Sequence, residues 1–214
     1  MSEQLQRMSK IGLVPLVVLA DAACAKPLGE ALVAGGIPVA EVTFRTDACL
    51  DTIRAMKEIP DLIVGAGTVH TAKQAAAAVD AGATYIVTPA YNPSVIEWCL
   101  AHDVDVIPGT VTPGEIEGAR AYGIRLCKFF PAAAYGGTTT LKALAGPFAD
   151  VKFLPTGGVS LDNMIDYLAL PNVAAIGGSF MTPDKLVAAR DWDGIAAVCR
   201  TIVKKMHDAL PARV

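Results

Sequence analysis

Short apolar runs, many rich in β-branched residues, recur along the chain, beginning near Val14, Pro38, Leu62, Thr84, Asp105, Arg125, Val151 and Val173, and most of the intervals hold an alanine-rich or amphipathic helical stretch. Strands that alternate with helices of this length run parallel, because each helix carries the chain back across the sheet. Eight such units in 214 residues predict one α/β domain spanning 1–214, folded as a (β/α)8 TIM barrel. A doubly wound open sheet competes with it, but that architecture usually has fewer strands and a glycine-rich turn after the first one. None follows Val14 to Ala20. The polar segment Met1 to Lys10 ahead of the first run is expected to add an N-terminal helix.

Helix signals punctuate the same division. Thr71 is placed to cap a helix running to Ala81 and closed by Gly82, and Asn92 with Pro93 opens the next. Thr112-Pro113-Gly114-Glu115 has capping-box spacing ahead of a helix that Gly123 closes. Ser160 is expected to start another before Leu161-Asp162-Asn163-Met164. Near the C-terminus, Ile195, Val198, Ile202, Val203, Met206 and Ala209 fall on one helical face, which predicts packing.

The composition, 53% hydrophobic and 18% charged, belongs to an ordered globular chain. A net charge of -3 and the lack of any basic run argue against a nucleic-acid partner. The polar N-terminus lacks the apolar core of a signal peptide, and no stretch is long and apolar enough to span a membrane, so no membrane partner and a cytoplasmic location are expected. The five cysteines, Cys24, Cys49, Cys99, Cys127 and Cys199, are scattered without C-x-x-C spacing and read as reduced, mostly buried thiols. His70, His102 and His207 lie far apart, so no protein-held catalytic metal is expected, although carboxylate-bound magnesium stays open.

Candidate chemistry begins with Arg125-Leu126-Cys127-Lys128-Phe129-Phe130-Pro131, which places a lysine inside an otherwise buried strand. Alternation puts Leu126, Lys128 and Phe130 on one face and Cys127 and Phe129 on the other. Desolvation disfavours an ammonium, and the neutral amine it leaves can attack a ketone and form a Schiff base. The alternative is a strand lysine that snorkels outward past a helix.

The second strand, Val39-Ala40-Glu41-Val42-Thr43-Phe44-Arg45, sets Val39, Glu41, Thr43 and Arg45 on one side. Burying such a face without partners is costly, so it reads either as a site inside the barrel or as a Glu-Arg structural pair at its rim. Gly65-Ala66-Gly67-Thr68 ends the third strand with small residues and a hydroxyl, and Thr88-Pro89-Ala90 and Pro108-Gly109-Thr110 end the next two as turns. Pro155-Thr156-Gly157-Gly158 and Gly177-Gly178-Ser179 follow the seventh and eighth strands, where barrels frequently hold phosphate on exposed backbone N–H groups. A phosphorylated small molecule is the expected substrate.

Six stretches now stand in order: Glu41-Val42-Thr43-x-Arg45-Thr46, Gly65-Ala66-Gly67-Thr68, Lys128-Phe129-Phe130-Pro131-Ala132, Gly146-Pro147-Phe148, Pro155-Thr156-Gly157-Gly158 and Gly177-Gly178-Ser179. From about Val14 onward the chain resembles the 2-keto-3-deoxy-6-phosphogluconate (KDPG) aldolase family, whose members often act also as 4-hydroxy-2-oxoglutarate aldolases. The resemblance implies a class I aldolase of the Entner-Doudoroff pathway, usually a homotrimer, that needs no cofactor and yields pyruvate and glyceraldehyde 3-phosphate from a phosphorylated 2-keto acid. It implies Lys128 as the Schiff-base residue and Glu41 as general acid/base. It places Arg45, Thr68 and Gly67 on the substrate carboxylate, Pro89 and Phe130 on the pocket wall, and Gly157, Gly158, Gly178 and Ser179 on the phosphate. The chain departs from the family pattern at Ala90, where glycine is common, and at Ala133 and Tyr135, where Glu and Asn are common. These departures leave 4-hydroxy-2-oxoglutarate or the phosphogalactonate epimer as alternative substrates. A phosphosugar isomerase or epimerase barrel, and a non-catalytic phosphate-binding barrel, are the rival functions.

Overall fold

The computed structural model describes residues 2–211. Its strand segments are β1 (Leu13–Val17), β2 (Val39–Thr43), β3 (Ile63–Gly67), β4 (Tyr85–Val87), β5 (Asp105–Ile107), β6 (Gly109–Thr110), β7 (Leu126–Phe129), β8 (Lys152–Pro155) and β9 (Ile176–Gly178). Segments β5 and β6 form one stave, split at Pro108, which has no N–H to give the ladder. Pro108 still accepts a 2.8 Å hydrogen bond from the Lys128 backbone. The segments hydrogen-bond in the order β5-β4-β3-β2-β1-β9 and β6-β7-β8. Parallel bridges from Phe153 to Val173 and from Thr156 to Gly177 join β8 to the last stave. The sheet thus closes into the expected barrel, and each strand begins within about three residues of its predicted start.

Alternation sorts the side chains into two cores. Val14, Val39, Ile63, Tyr85, Val87, Ile107, Leu126 and Leu154 pack together inside the barrel, joined by Leu5 and Met8. Their outward neighbours, among them Val17, Val42, Ala66, Ile86, Cys127 and Phe129, form a larger core under the surrounding helices. Leu5 and Met8 belong to α1 (Glu3–Ile11), the predicted N-terminal helix, capped by Ser2 and packed into the inner core at the N-terminal end of the staves. The barrel is therefore plugged at one end.

The outer helices are α2 (Ala25–Ala34), α3 (Cys49–Met56), α4 (Ala72–Ala81), α5 (Pro93–Ala101), α6 (Pro113–Ala121), α7 (Gly137–Leu144), α8 (Met164–Leu168), α9 (Asp184–Ala188) and α10 (Trp192–Ala209). The Thr71 and Asn92 caps and the Thr112 capping box form as expected, and Thr71 also completes a capping box with Gln74. Ser160 does not cap α8. That helix starts at Met164, and Asn163 binds the preceding turn through Ser160 N and Gly158 O, consuming its first turn. On α10, Ile195, Ile202 and Met206 are buried as expected, but Ala209 is exposed where the helix runs past the barrel. No helix among the described residues is long and apolar enough to cross a membrane.

Candidate active site

Because β2 and β7 both face inward at every second residue, Glu41 and Lys128 enter the barrel from different walls and meet there. Lys128 Nζ lies 2.9 Å from Glu41 Oε1, and the two side chains are 4% and 0% exposed. The apolar surroundings expected of Lys128 are present in Leu126, below it on the same face, and in the Phe130 ring, whose centroid is 5.4 Å from Nζ. The carboxylate facing the nitrogen adds what alternation within one strand could not show. An ion pair stripped of water survives only with close, well-directed contacts. Here one hydrogen bond joins the charges, while Glu41 Oε2 is buried with no partner among the described residues. A free carboxylate oxygen beside a buried amine can exchange protons with whatever binds at the amine.

β3 makes room for this pair. After Ile63 its inward positions are Gly65 and Gly67, and a Cβ on Gly67 would fall 2.2 Å from Glu41 Oε1. The glutamate therefore lies across the backbone of β3, which only a residue without a side chain allows. Thr68 follows at φ 57, a left-handed conformation uncommon for a threonine and characteristic of sites where geometry outweighs local strain.

The remaining expected residues gather at the same C-terminal end. Phe130 directly follows β7 and is half-buried. Gly157 and Gly158, at φ 91 and φ 77, turn the chain after β8. Among the described residues their N–H groups have no acceptor, as an anion cradle requires. A Cβ on Gly157 would lie 3.3 Å from the Phe130 ring, so the cradle abuts the lysine's aromatic neighbour. The Thr156 to Gly177 bridge brings Gly178 and Ser179 alongside it. Pro89 is half-buried beside the Thr88 turn, whose hydroxyl donates to Ala90 O at 2.7 Å.

Arg45 departs from the expected alternation. β2 ends at Thr43, and Arg45 sits in the following turn, exposed, with no hydrogen-bond or ion-pair partner among the described residues. The Glu-Arg structural pair is thus not formed. The guanidinium is free at the rim.

Further buried polar groups border the site, two of them on stretches the sequence already marked and one, Tyr85, that it did not. Thr43 and Thr156 hold hydroxyls two residues beyond Glu41 and Leu154, on the same inward faces. Tyr85, fully buried, donates its hydroxyl to Ala40 O at 3.1 Å. Burial first, and then the Glu41 charge, push this phenol well above its ordinary pKa, so it remains a proton donor. Tyr85 lay inside an apolar run, and the signal that could have found it was the glycine at 65, which leaves volume that a neighbour must fill.

Among the described residues no cluster of three or more His, Cys, Asp or Glu side chains is arranged to hold a metal ion. All five cysteines are free and buried, as expected of reduced thiols.

A profile of the family described as "Aldolase: KDPG and KHG aldolase" matches residues 5–198. The 2-dehydro-3-deoxy-phosphogluconate aldolase of Treponema pallidum is 44% identical over 194 residues, covering 90% of this chain and 92% of that one. The KHG/KDPG aldolase of Escherichia coli K12 is 43% identical over 192 residues, covering 89% of this chain and 90% of that one. In structure, the KDPG aldolase of Legionella pneumophila, solved with pyruvate captured as a covalent carbinolamine intermediate, superposes with a TM-score of 0.90 at 36% identity, over 94% of this chain and 98% of that one. With the barrel, the family profile and these relatives in agreement over nearly the whole length, the chain belongs to the KDPG and KHG aldolase family.

Proposed function

We propose that this protein is a class I aldolase, a lyase that cleaves 2-dehydro-3-deoxy-6-phosphogluconate to pyruvate and glyceraldehyde 3-phosphate in the Entner-Doudoroff pathway. The observation that carries this is the 2.9 Å contact between Lys128 Nζ and Glu41 Oε1 inside the barrel. Lys128 gives its proton to Glu41 and attacks the C2 ketone, forming a carbinolamine. Glu41 returns a proton to the departing hydroxyl, and water leaves as the protonated imine forms. The carboxylate then takes the C4 hydroxyl proton, the C3–C4 bond breaks, and its electron pair moves into the imine as an enamine. Protonation at C3 and addition of water release pyruvate and restore the amine. The imine is the electron sink throughout, so the chemistry calls for no cofactor or metal.

In the same proposal Arg45, with Thr68 and the backbone at Gly67, binds the keto-acid carboxylate, the fork of the guanidinium suiting a bidentate contact. Pro89 and Phe130 wall the pocket. Gly157, Gly158, Gly178 and Ser179 take the phosphate. We propose further that residues 1–214 act as one domain, assembled as a homotrimer in the cytoplasm, with no nucleic acid or membrane partner.

A second substrate reading is favoured by the loop after β7. Ala133 lies directly against the cradle, 2.3 Å from where a Cβ on Gly158 would stand, and Tyr135 is 52% exposed beside it. This end differs from the family's usual Pro-Ala-Glu-x-Asn-Gly-Gly, which supports 4-hydroxy-2-oxoglutarate or the phosphogalactonate epimer as additional substrates.

Borohydride reduction in the presence of pyruvate tests the mechanism. The expected result is a pyruvyl adduct on Lys128, absent in Lys128→Ala, with cleavage unaffected by EDTA. A wild-type protein that traps no pyruvate would overturn it in favour of an isomerase barrel or a phosphate-binding one.

A further inference from the structure

Glu41, Gly65 and Tyr85 are cross-strand neighbours on β2, β3 and β4, since Glu41 pairs with Gly65 and Gly65 pairs with Tyr85. All three positions face inward, and the middle one is empty of side chain. The Tyr85 ring fills it: a Cβ on Gly65 would lie 2.2 to 2.4 Å from three atoms of that ring. Beyond Gly65 the phenol reaches β2 itself, where its hydroxyl bonds the carbonyl of Ala40, the residue before the glutamate. Glu41 leans the other way, toward the C-terminal mouth, over Gly67. The ring therefore passes beneath the base of the Glu41 side chain and closes off the space into which that side chain could drop.

On the aldolase reading above, we infer that Tyr85 is a positioning residue for the acid/base. A rigid planar group wedged across Gly65, tied to the strand that carries Glu41, keeps the carboxylate raised against Lys128. A flexible residue of similar size keeps the volume but not the platform, so the carboxylate samples positions out of reach of the reacting atoms. Displacements of about 1 Å cost roughly tenfold to a hundredfold in rate. The hydroxyl contributes less than the ring, because the ring alone blocks the space.

The test uses Tyr85→Phe and Tyr85→Met, each normalised to the fraction of active sites that borohydride traps with pyruvate. Tyr85→Phe is expected within about threefold of wild-type kcat, and Tyr85→Met is expected to lose roughly tenfold or more in kcat, with KM little changed and the pH profile of kcat altered. Combined with Glu41→Gln, Tyr85→Met is expected to cause no further loss, since the group it positions is already disabled. A Tyr85→Met enzyme with wild-type kcat and pH profile, or one whose loss persists unchanged in the Glu41→Gln background, would overturn the inference while the aldolase reading stood. A wild-type protein that traps no pyruvate would remove both.

Discussion

Lys128 and Glu41 are 87 residues apart in the chain and 2.9 Å apart in the barrel. Their contact is at once the proposed chemistry and a stability problem, because each charge is buried and the other is its main compensation. Removing one partner strands the other. Lys128→Ala is expected to destabilise the fold by about 3–5 kcal/mol in urea unfolding at neutral pH, and the double variant Lys128→Met/Glu41→Leu to recover most of that while remaining inactive. A Lys128→Ala protein as stable as wild type would show that the carboxylate finds another partner.

Glu41→Gln keeps the shape of the side chain and removes its ability to exchange a proton. Cleavage is expected to fall by roughly a hundredfold or more, while Lys128 still traps pyruvate, more slowly. Steady-state cleavage and adduct formation, measured on one preparation, separate the two steps. Wild-type turnover would remove Glu41 from the mechanism.

Arg45 has no partner among the described residues, so its loss leaves nothing unpaired. Arg45→Ala is expected to raise KM for the keto acid by roughly tenfold or more, the scale of a lost charge-assisted hydrogen bond, with no change in melting temperature. A fall in melting temperature without any change in KM would make Arg45 structural.

Gly158 stands at φ 77, with Ala133 where its Cβ would go. Gly158→Ala is therefore expected to distort the cradle and raise KM for the phosphorylated substrate several-fold more than for 4-hydroxy-2-oxoglutarate. Equal effects on both substrates would place the phosphate elsewhere.

Burial pushes the thiols of Cys49, Cys99, Cys127 and Cys199 up to about 12. Unfolded thiols release their protons near the ordinary value of 9.0. Between these values the folded chain binds more protons than the unfolded one, so stability is full below about pH 9 and falls as pH rises towards 12. The slope is about 1.4 kcal/mol per pH unit for each thiol. Urea unfolding in this window, wild type against Cys127→Ala, is expected to show a shallower decline in the variant.

The barrel and the lysine were legible because both rest on alternation, which any chain must obey when strands are buried on two sides. Glu41 was legible because a carboxylate on an apolar strand demands a partner. Arg45 was set on the same side as Glu41 by that rule but sits exposed in the turn at the rim, since β2 ends two residues earlier and alternation stops with the strand. Ser160 failed as a cap because Asn163 competes for the same turn. Tyr85 escaped notice since an aromatic residue in a hydrophobic run looks like ordinary filling. Its place depends on a glycine twenty residues earlier on a neighbouring strand, and pairing between strands is invisible to a pattern read along one of them.

The helix that plugs the barrel has a kinetic corollary. With Leu5 and Met8 sealing the N-terminal end, a substrate carrying its ketone to Lys128 enters head first through the opposite doorway, and everything it becomes must leave by the same one. On the proposed Schiff-base mechanism, once the carbon chain is cut the aldehyde half sits outermost and the other half is still tethered behind it. Departure is therefore sequential, aldehyde first, and a high concentration of aldehyde holds the tethered half in place and drives the enzyme backwards.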